Sequence, residues 1–322
     1  MKGTAVALVA VVLGAFAALP TSTVSAQDAQ ALATECDAQA GGDPTMCALA
    51  IGGGRDLMGD VGTLAGPGSE IPGQPSTLGR RLGGTPRFAP SLRVGAHSVV
   101  VPDLADPTGA GEGSHLVPAV HAGLGLGLFD GFSLLPTVGG FLSIDVVGQA
   151  SFLFFSESDG FDGRVDVLSV GARVGLLRES FTLPGVTVSV SRRLSGSLRL
   201  GDTAAGDAGE VVLDPSVTSL RATVGKDLFA FGVLAGVGWD DYSSETAVRV
   251  TDGAAGFVAV SETLEASRAS YFVGLSKQLG VLSWISAEVG WARGFTPVTI
   301  GSASSPDRGT TVFGSLAILF KL

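Results

Sequence analysis

A strict alternation of apolar and polar residues constrains the fold of this chain more than any other feature. Residues 185–200 show it most clearly. Successive side chains of a β-strand point to opposite faces, so the pattern predicts a strand with one apolar and one polar face. Arg192 falls on the apolar face, which we assign to a bulge or to a position near the rim. The apolar face holds Val186, Val188, Val190, Leu194, Leu198 and Leu200, and the polar face holds Thr187, Ser189, Ser191, Arg193, Ser195, Ser197 and Arg199.

The composition determines what such strands can build. Hydrophobic residues make up 45% of the 322 residues and charged residues 16%, and the mean hydropathy is +0.43. Beyond the N-terminal segment no apolar run approaches the length of a spanning helix, and the best candidate, 228–239, has 12 residues. Only helices and closed barrels satisfy all backbone groups in hydrocarbon. The sequence therefore predicts an all-β fold, an antiparallel up-and-down transmembrane β-barrel.

Ten segments of alternating character predict about ten strands, within a range of eight to twelve. Short turns at 226–227 and 279–280 alternate with longer polar connections such as 201–213 and 241–266. In membrane barrels short turns lie on the periplasmic side and long loops lie outside. Segment 245–262 alternates weakly, which is compatible with a projecting hairpin or with two more strands. The predicted strands lie near 90–101, 115–129, 139–155, 164–178, 185–200, 214–226, 228–241, 267–279, 281–293 and 309–322.

The N-terminus has the pattern of a secretory signal peptide. Lys2 precedes an apolar run over 5–19, and small residues before Gln27 form a cleavage site. A retained membrane anchor is the weaker alternative, because the run is short and begins almost at residue 1. We predict that residues 1–26 are a signal peptide and that the mature chain starts near Gln27.

Residues 27–87 lack sustained alternation and are predicted to be a periplasmic N-terminal extension. Cys36 and Cys47 are the only two cysteines, and in an exported chain this pair predicts a disulfide. The Gly, Pro and Ser content of 52–84 predicts a linker with little fixed structure. A sharper alternative is that part of it enters the barrel as a plug. In that alternative Arg80, Arg81 and Arg87 meet acidic residues of the lumen.

Residues 88–322 resemble the bacterial outer-membrane β-barrel class of Gram-negative bacteria. The features that carry this resemblance are the signal peptide, the alternating strands and a closing strand at the C-terminus. In that last strand Val312, Leu316, Ile318, Phe320 and Leu322 share one face. The class usually ends on Phe or Trp, whereas this chain continues with Lys321 and Leu322. The resemblance implies outer-membrane localisation, contact with outer-membrane lipids and insertion by the barrel-assembly machinery.

Aromatic residues provide a second indication, because membrane barrels concentrate rings at both interfaces. A soluble β-sandwich that buries these rings is the alternative, but its sheets would expose more charge than the apolar faces here contain. Phe152, Phe154, Phe155, Trp239, Tyr242 and Trp291 are predicted near the outer ends of strands, and Phe129, Phe132, Phe229 and Phe320 near the inner ends.

The alternation of side chains along each strand, which we call its parity, predicts which charged residues line the lumen. The basic residues outnumber the acidic ones, although the whole chain has a net charge of −10. A net-basic lumen favours a narrow pore or a transporter of small solutes. In a barrel this narrow, the same arginines could instead form an internal network with acidic residues and backbone carbonyls. The predicted lumen-lining residues are Arg93, His97, His121, Asp145, Arg173, Arg193, Arg199, Arg221, Arg268 and Glu288.

Other functions are weaker candidates. A non-conducting barrel whose outer loops bind partners or support the envelope is the main alternative to a pore. A membrane-embedded lipid hydrolase built on His115, Ser114 and Glu112 is less favoured, because neighbours in sequence on a loop do not make a positioned nucleophile and base. We therefore predict no enzyme, no cofactor and no metal site. The acidic balance and the lack of a basic stripe argue against nucleic acid as a partner.

Overall fold

In the computed structural model, the described residues are 24–39, 44–80, 84–105, 112–133, 139–156, 161, 163–181, 183–229, 231–251, 257–305 and 307–322. The predicted signal peptide lies outside these residues except for 24–26. No helix among the described residues is long and apolar enough to cross a membrane.

Ten of the described strands form a closed antiparallel barrel, which confirms the predicted fold class. The ring closes because β1 pairs with β2 on one side and with β13, the last strand, on the other. The short β6 extends the edge beside β7, and β11 and β12 form a separate small hairpin. The strands are β1 Phe88–Pro102, β2 Glu112–Phe129, β3 Ser143–Phe154, β4 Arg164–Leu177, β5 Gly185–Ser195, β6 Leu198–Leu200, β7 Gly209–Asp227, β8 Gly232–Thr251, β9 Phe257–Gln278, β10 Ser283–Arg293, β11 Thr299–Ile300, β12 Ala303–Ser304 and β13 Thr310–Phe320.

The strands extend further at one end of the barrel than at the other. We call the end at which β1 starts and β13 finishes the lower end, and the opposite end the upper end. The predicted long loop 241–266 is largely strand, because β8 and β9 continue in register up to the pair Thr251 and Phe257. The described residues of the weakly alternating segment 245–262 thus form a projecting hairpin, in which β8 and β9 continue without adding strands to the barrel.

The predicted strand over 185–200 is interrupted, which corrects the assignment of its last residues. The β5 strand ends at Ser195, and Gly196 donates its N–H to the carbonyl of Asp166 before β6 begins. This irregularity reverses the parity, because a shift by one residue turns every later side chain to the other face. Leu198 is therefore buried inside the barrel, and Arg199 points outward near Glu210. The prediction that Arg199 lines the lumen is wrong.

The outer surface of the barrel carries an apolar band between two groups of aromatic side chains. On β2 the outward residues 116–128 are apolar, and Leu116 is 73% exposed. Arg192 points outward and donates to Thr218 and Ser216, whose side chains lie on the neighbouring strand. The exposed band does not fit a soluble sandwich, which buries its apolar faces. Outward aromatic residues near the upper border are Phe152, Phe154, Trp239, Tyr271 and Trp291, and near the lower border they are Phe88, Phe129, Phe132, Phe181, Phe229 and Phe320.

Two aromatic residues predicted for the upper border instead face the interior. Phe155 and Tyr242 are buried, and Tyr242 packs edge-on against Phe295. Tyr242 lies on the inward face of β8, and Phe155, one residue beyond β3, continues the inward face of that strand. The prediction from position near a strand end is therefore wrong for them.

The N-terminal region folds into two helices, of which the second lies inside the barrel. These are α1, Val24–Gln39, and α2, Pro44–Ala65, and the disulfide between Cys36 and Cys47 joins them as predicted. Residues 66–80 continue from α2 towards the lower end. We call residues 44–80 the plug. The predictions of an unstructured linker over 52–84 and of an extension outside the wall are wrong, because nearly all of α2 is buried.

The upper half of the interior is an apolar core between the plug and the wall. Met46, Ile51 and Leu57 of α2 pack with wall residues such as Val99 and Leu213. The α1 helix lies at the upper end, where the side-chain amide of Gln30 bonds to the backbone of Thr299 through both of its polar atoms. The plug therefore runs through the barrel from the upper end to the lower end.

We predict that an arginine in the middle of the apolar band destabilises the barrel in a lipid bilayer. Leu124→Arg should lower the free energy of unfolding from vesicles by about 2–4 kcal/mol, because the guanidinium would enter hydrocarbon. Ala259→Arg is the control, since Ala259 is exposed on the projecting part of β9 above the band. Urea titration followed by tryptophan fluorescence measures both. Equal effects of the two substitutions would contradict the position of the band.

Candidate functional site: an occluded lumen

The structure places nine of the ten predicted lumen residues inside the barrel, all buried. The exception is Arg199, described above. Their placement follows from strand parity, since each lies on the inward face of its strand. The lumen they line is occupied by the plug, so these residues contact protein rather than an open channel. The nine are Arg93, His97, His121, Asp145, Arg173, Arg193, Arg221, Arg268 and Glu288.

Five arginines of the wall bind backbone carbonyls of the plug. One of these carbonyls, that of Gly62, belongs to the last turn of α2, where helix carbonyls lack partners within the helix. Most of the others belong to the segment that follows the helix. A cation at this end also interacts favourably with the helix dipole. The bonds run from Arg268 to Gly59, from Arg193 to Gly62 at 2.6 Å, from Arg93 to Pro67 and to Ser69 at 2.6 Å, from Arg221 to Gly68, and from Arg173 to Gln74 at 2.7 Å.

Two acidic residues of the wall bind backbone amides of the same segment. Glu288 accepts from the N–H of Ser69 at 2.9 Å and of Gly73 at 3.1 Å. Asp145 accepts from the N–H of Leu78 at 2.9 Å. These carboxylates also lie 3.7 Å from the guanidinium groups of Arg93 and Arg173, respectively. The wall therefore binds both the N–H groups and the carbonyls of the plug backbone. These polar groups would be costly to bury without partners.

Asp240 is the acidic centre of the lumen that the prediction of site residues omitted. Its carboxylate lies 3.1 Å from Arg193 and 3.7 Å from Arg221, and it also accepts from Ser219. The sequence contained a signal for it, because Asp240 falls on the polar parity of 228–240.

Asp60 on the plug is a second acidic partner that the sequence did not suggest. It lies 3.2 Å from His97 and 3.5 Å from Arg268. A parity argument could not find it, because it sits on a helix in a segment predicted to be a linker. With Asp60 and Asp240 included, the arginines of the lumen have carboxylate partners. The predicted basic surplus is thus balanced by the plug and by the wall itself.

Glycines on both sides allow the plug and the wall to approach closely. A side chain at Gly59 or Gly62 would collide with the rings of Phe295 and Tyr242, respectively. In the lower half, a side chain at Gly127 of the wall would collide with the backbone of Gly79. Since only glycine removes such contacts, the inward glycines make room for the plug rather than for a channel.

Two of the three histidines, His97 and His121, are buried in the lumen. The Nδ1 atom of His121 lies 2.9 Å from the hydroxyl of Ser151, but both residues are 1% exposed and lie against the plug. The ring of His115 packs edge-on against Phe161, and Ser114 bonds to Ser98 at 3.0 Å. The side chain of Glu112 lies outside the part of the chain that is described.

The arginines that the sequence proposed as plug anchors make different contacts. Arg80 bonds through its backbone N–H to Asp130 at 2.7 Å, at the lower rim. Arg87 donates to the carbonyl of Leu78 at 3.3 Å. Arg81 lies outside the described residues. A plug is present, as in the alternative prediction. The arginines that pair with the lumen carboxylates, however, belong to the wall and not to the plug.

No family model and no curated protein matches the sequence. Several solved structures are similar in fold. The outer membrane protease OmpT from Escherichia coli is 12% identical over 74% of this chain and 96% of its own, with a TM-score of 0.42. The translocator domain of autotransporter NalP from Neisseria meningitidis is 11% identical, over 73% and 88%, with a TM-score of 0.41. The toluene transporter TodX from Pseudomonas putida is 9% identical, over 73% and 89%, with a TM-score of 0.33. Likeness at this level assigns no function to the chain.

We predict that Asp240 is essential to the buried network. Asp240→Asn should lower the free energy of unfolding by about 3–5 kcal/mol, because Arg193 and Arg221 lose their shared counter-charge. Asp241→Asn is the matched control, since the neighbouring carboxylate is exposed on the outer face and its removal should change stability by less than about 0.5 kcal/mol. Urea unfolding of both variants tests this. A loss below 1 kcal/mol in Asp240→Asn, on the order of an ordinary surface change, would contradict it.

Proposed function

We propose that this protein is an outer-membrane barrel that its own N-terminal segment holds closed, and that it acts through the folded surface at its upper end. The membrane location is supported by the exposed apolar band and the aromatic borders. An even number of strands returns both chain ends of a barrel to the periplasmic side. The lower end, with Phe88 and Leu322 hydrogen-bonded to each other, would then face the periplasm, and the upper end would face the exterior.

The single observation that carries the proposal is the set of five buried arginines bonded to the plug backbone. A barrel of ten strands is only slightly wider than one of eight, whose interior side chains can fill. Here α2 and the extended segment after it occupy the interior. Their backbone N–H and C=O groups are hydrogen-bonded to the wall at positions from Gly59 to Leu78. This arrangement supports a non-conducting barrel over the narrow pore that the sequence suggested first.

The upper end offers a rigid surface for a binding or structural role. It consists of α1 with its disulfide to α2, the projecting hairpin of β8 and β9, and the small hairpin of β11 and β12. The outer face of the projecting hairpin is polar and exposes acidic residues, among them Glu245 and Glu265. Binding of a partner at the cell surface or support of the envelope would both use this surface.

We predict that the folded protein is silent in planar bilayers. Wild type should give no discrete conductance steps, because the plug fills the lumen. Gly62→Phe should produce steps, since the ring would collide with Tyr242 and displace the plug. Gly148→Phe is the control, because Gly148 faces outward and an added side chain there has no close neighbour. Ion-selective steps from wild type with a folded, heat-modifiable band on gels would overturn the closed barrel.

We also predict the orientation of the barrel. Ala31→Cys on the exposed side of α1 should react with a membrane-impermeant maleimide in intact cells. Ser133→Cys, in the connection between β2 and β3 at the lower end, should react only after the outer membrane is permeabilised. The reverse labelling pattern would show that the upper end faces the periplasm.

A further inference from the structure

A cavity of about 460 Å³ opens at the lower end, where the plug leaves the barrel. Its wall includes plug residues 74–78 on one side. The other side holds three basic residues, two acidic ones and Trp284, namely Arg87, Arg178, Lys321, Glu179, Asp227 and Trp284. Its volume falls within the range of small-molecule sites, roughly 300–1,000 Å³. The lining combines apolar surface with a few charged groups, which is the usual composition of such sites.

The positive charges of this cavity are only partly neutralised. Arg178 forms an ion pair with Asp130 at 3.2 Å, and Glu179 is engaged by Lys226 at 3.2 Å. Lys321 and Arg87 differ from them, because neither forms an ion pair with a carboxylate in the part of the chain that is described. Asp227 also lines the cavity and acts electrostatically on Lys321, but it forms no ion pair with it in the described part of the chain. The cavity therefore presents two cations against one carboxylate, none of them in an ion pair.

Lys321 is positioned by the chain itself. Phe320 points outward at the lower aromatic border, and the next residue, Lys321, donates its N–H to Leu282 at 2.9 Å. Its ammonium group lies 4.4 Å from the centre of the Trp284 ring, a cation–π contact. The departure from a C-terminal Phe or Trp thus places a cation inside the lower mouth.

The surroundings of Lys321 favour an anion beside it. Burial lowers the pKa of Lys321 to about 8, with Asp227 and Glu179 acting to raise it and Arg87 acting to lower it further. A lowered pKa means that the charged ammonium is poorly compensated by its surroundings. An anion bound next to it would supply that compensation.

We propose that this cavity binds a small organic anion, a carboxylate or phosphate joined to an apolar body. The anionic group would lie between Lys321 and Arg87, as charge-assisted hydrogen bonds to an ammonium and a guanidinium are strong. The apolar body would lie against Trp284, Leu282 and Pro75. A ligand there touches the plug and the wall together, at the end that the proposed orientation assigns to the periplasm.

Tryptophan quenching tests the proposal on the full protein in phosphatidylcholine nanodiscs. Trp284 is the one of the three tryptophans that lies at the lower end. A dibrominated benzoate should quench its fluorescence in a saturable way, whereas the matching uncharged benzamide should not. Trp284→Phe should abolish the saturable part. Lys321→Gln should weaken benzoate binding by about tenfold, equivalent to 1.4 kcal/mol.

Lys277→Gln is the matched control, because Lys277 is an exposed lysine at the same end that points away from the lumen. Its affinity for benzoate should equal that of wild type. Saturable quenching by the benzamide, or unchanged benzoate affinity in a folded Lys321→Gln variant, would overturn the proposal.

The pH dependence gives a second readout. Benzoate stays ionised above neutral pH, so its affinity for wild type should fall as pH rises through about 8, where the ammonium loses its proton. The fall should be absent in Lys321→Gln, and a flat wild-type profile would overturn the role of Lys321. Adding anionic phospholipid to the nanodiscs separates two sources of the ligand. Retained quenching supports a soluble anion, and competition supports a lipid headgroup at the same anion site.

Discussion

The structure depends on the bonds between the buried arginines of the wall and the backbone of the plug. A guanidinium inside a narrow barrel is costly unless it is paired and hydrogen-bonded. Arg193, Arg221 and Arg268 find partners in Asp240, Asp60 and the carbonyls at the end of α2. The carbonyl of Gly62, in the last turn of α2, would otherwise lack a donor within the helix. Wall and plug thus satisfy each other, and neither would be stable in this form alone.

The interior uses different interactions at its two halves. Near the upper end, apolar side chains of α2 and the wall pack into one core, so that part of the plug is held by burial of apolar surface. Below Ala65 the plug is extended and rich in Gly and Pro, and it is held mainly by hydrogen bonds. Its N–H groups donate to Glu288 and Asp145, and one of its carbonyls accepts from Arg173. The directions of these hydrogen bonds therefore fix the lower half of the plug. Apolar packing there is limited to small clusters, such as the one that contains Ile71 and Leu78.

Alternation was sufficient to predict the barrel, because successive residues of each strand turn to the outer surface and to the interior in the membrane part of the wall. It did not predict that the inner face is apolar in the upper half, where it packs on α2. Parity also located inward residues such as Arg93 and Glu288. It failed at Leu198 and Arg199, where the break at Gly196 reverses the faces. The helix α2 was missed because three consecutive glycines, Gly52 to Gly54, disfavour an isolated helix, and enclosure leaves no single apolar stripe to detect. The partners of the arginines could not be predicted, since they lie on that helix and on the segment after it.

The course of the plug has a consequence for how the molecule is assembled. Its lower end continues into β1, the strand that closes the ring with β13, while its upper end is tied by a disulfide to a second helix. Two cross-linked helices are wider than the single helix that the barrel accommodates. The plug is therefore retained at both ends, by the cross-linked helices at the upper end and by its covalent continuation into β1 at the lower end. Either the disulfide forms after the plug has entered the ring, or the seam between β1 and β13 closes around a plug already in place, so assembly requires a fixed order of events.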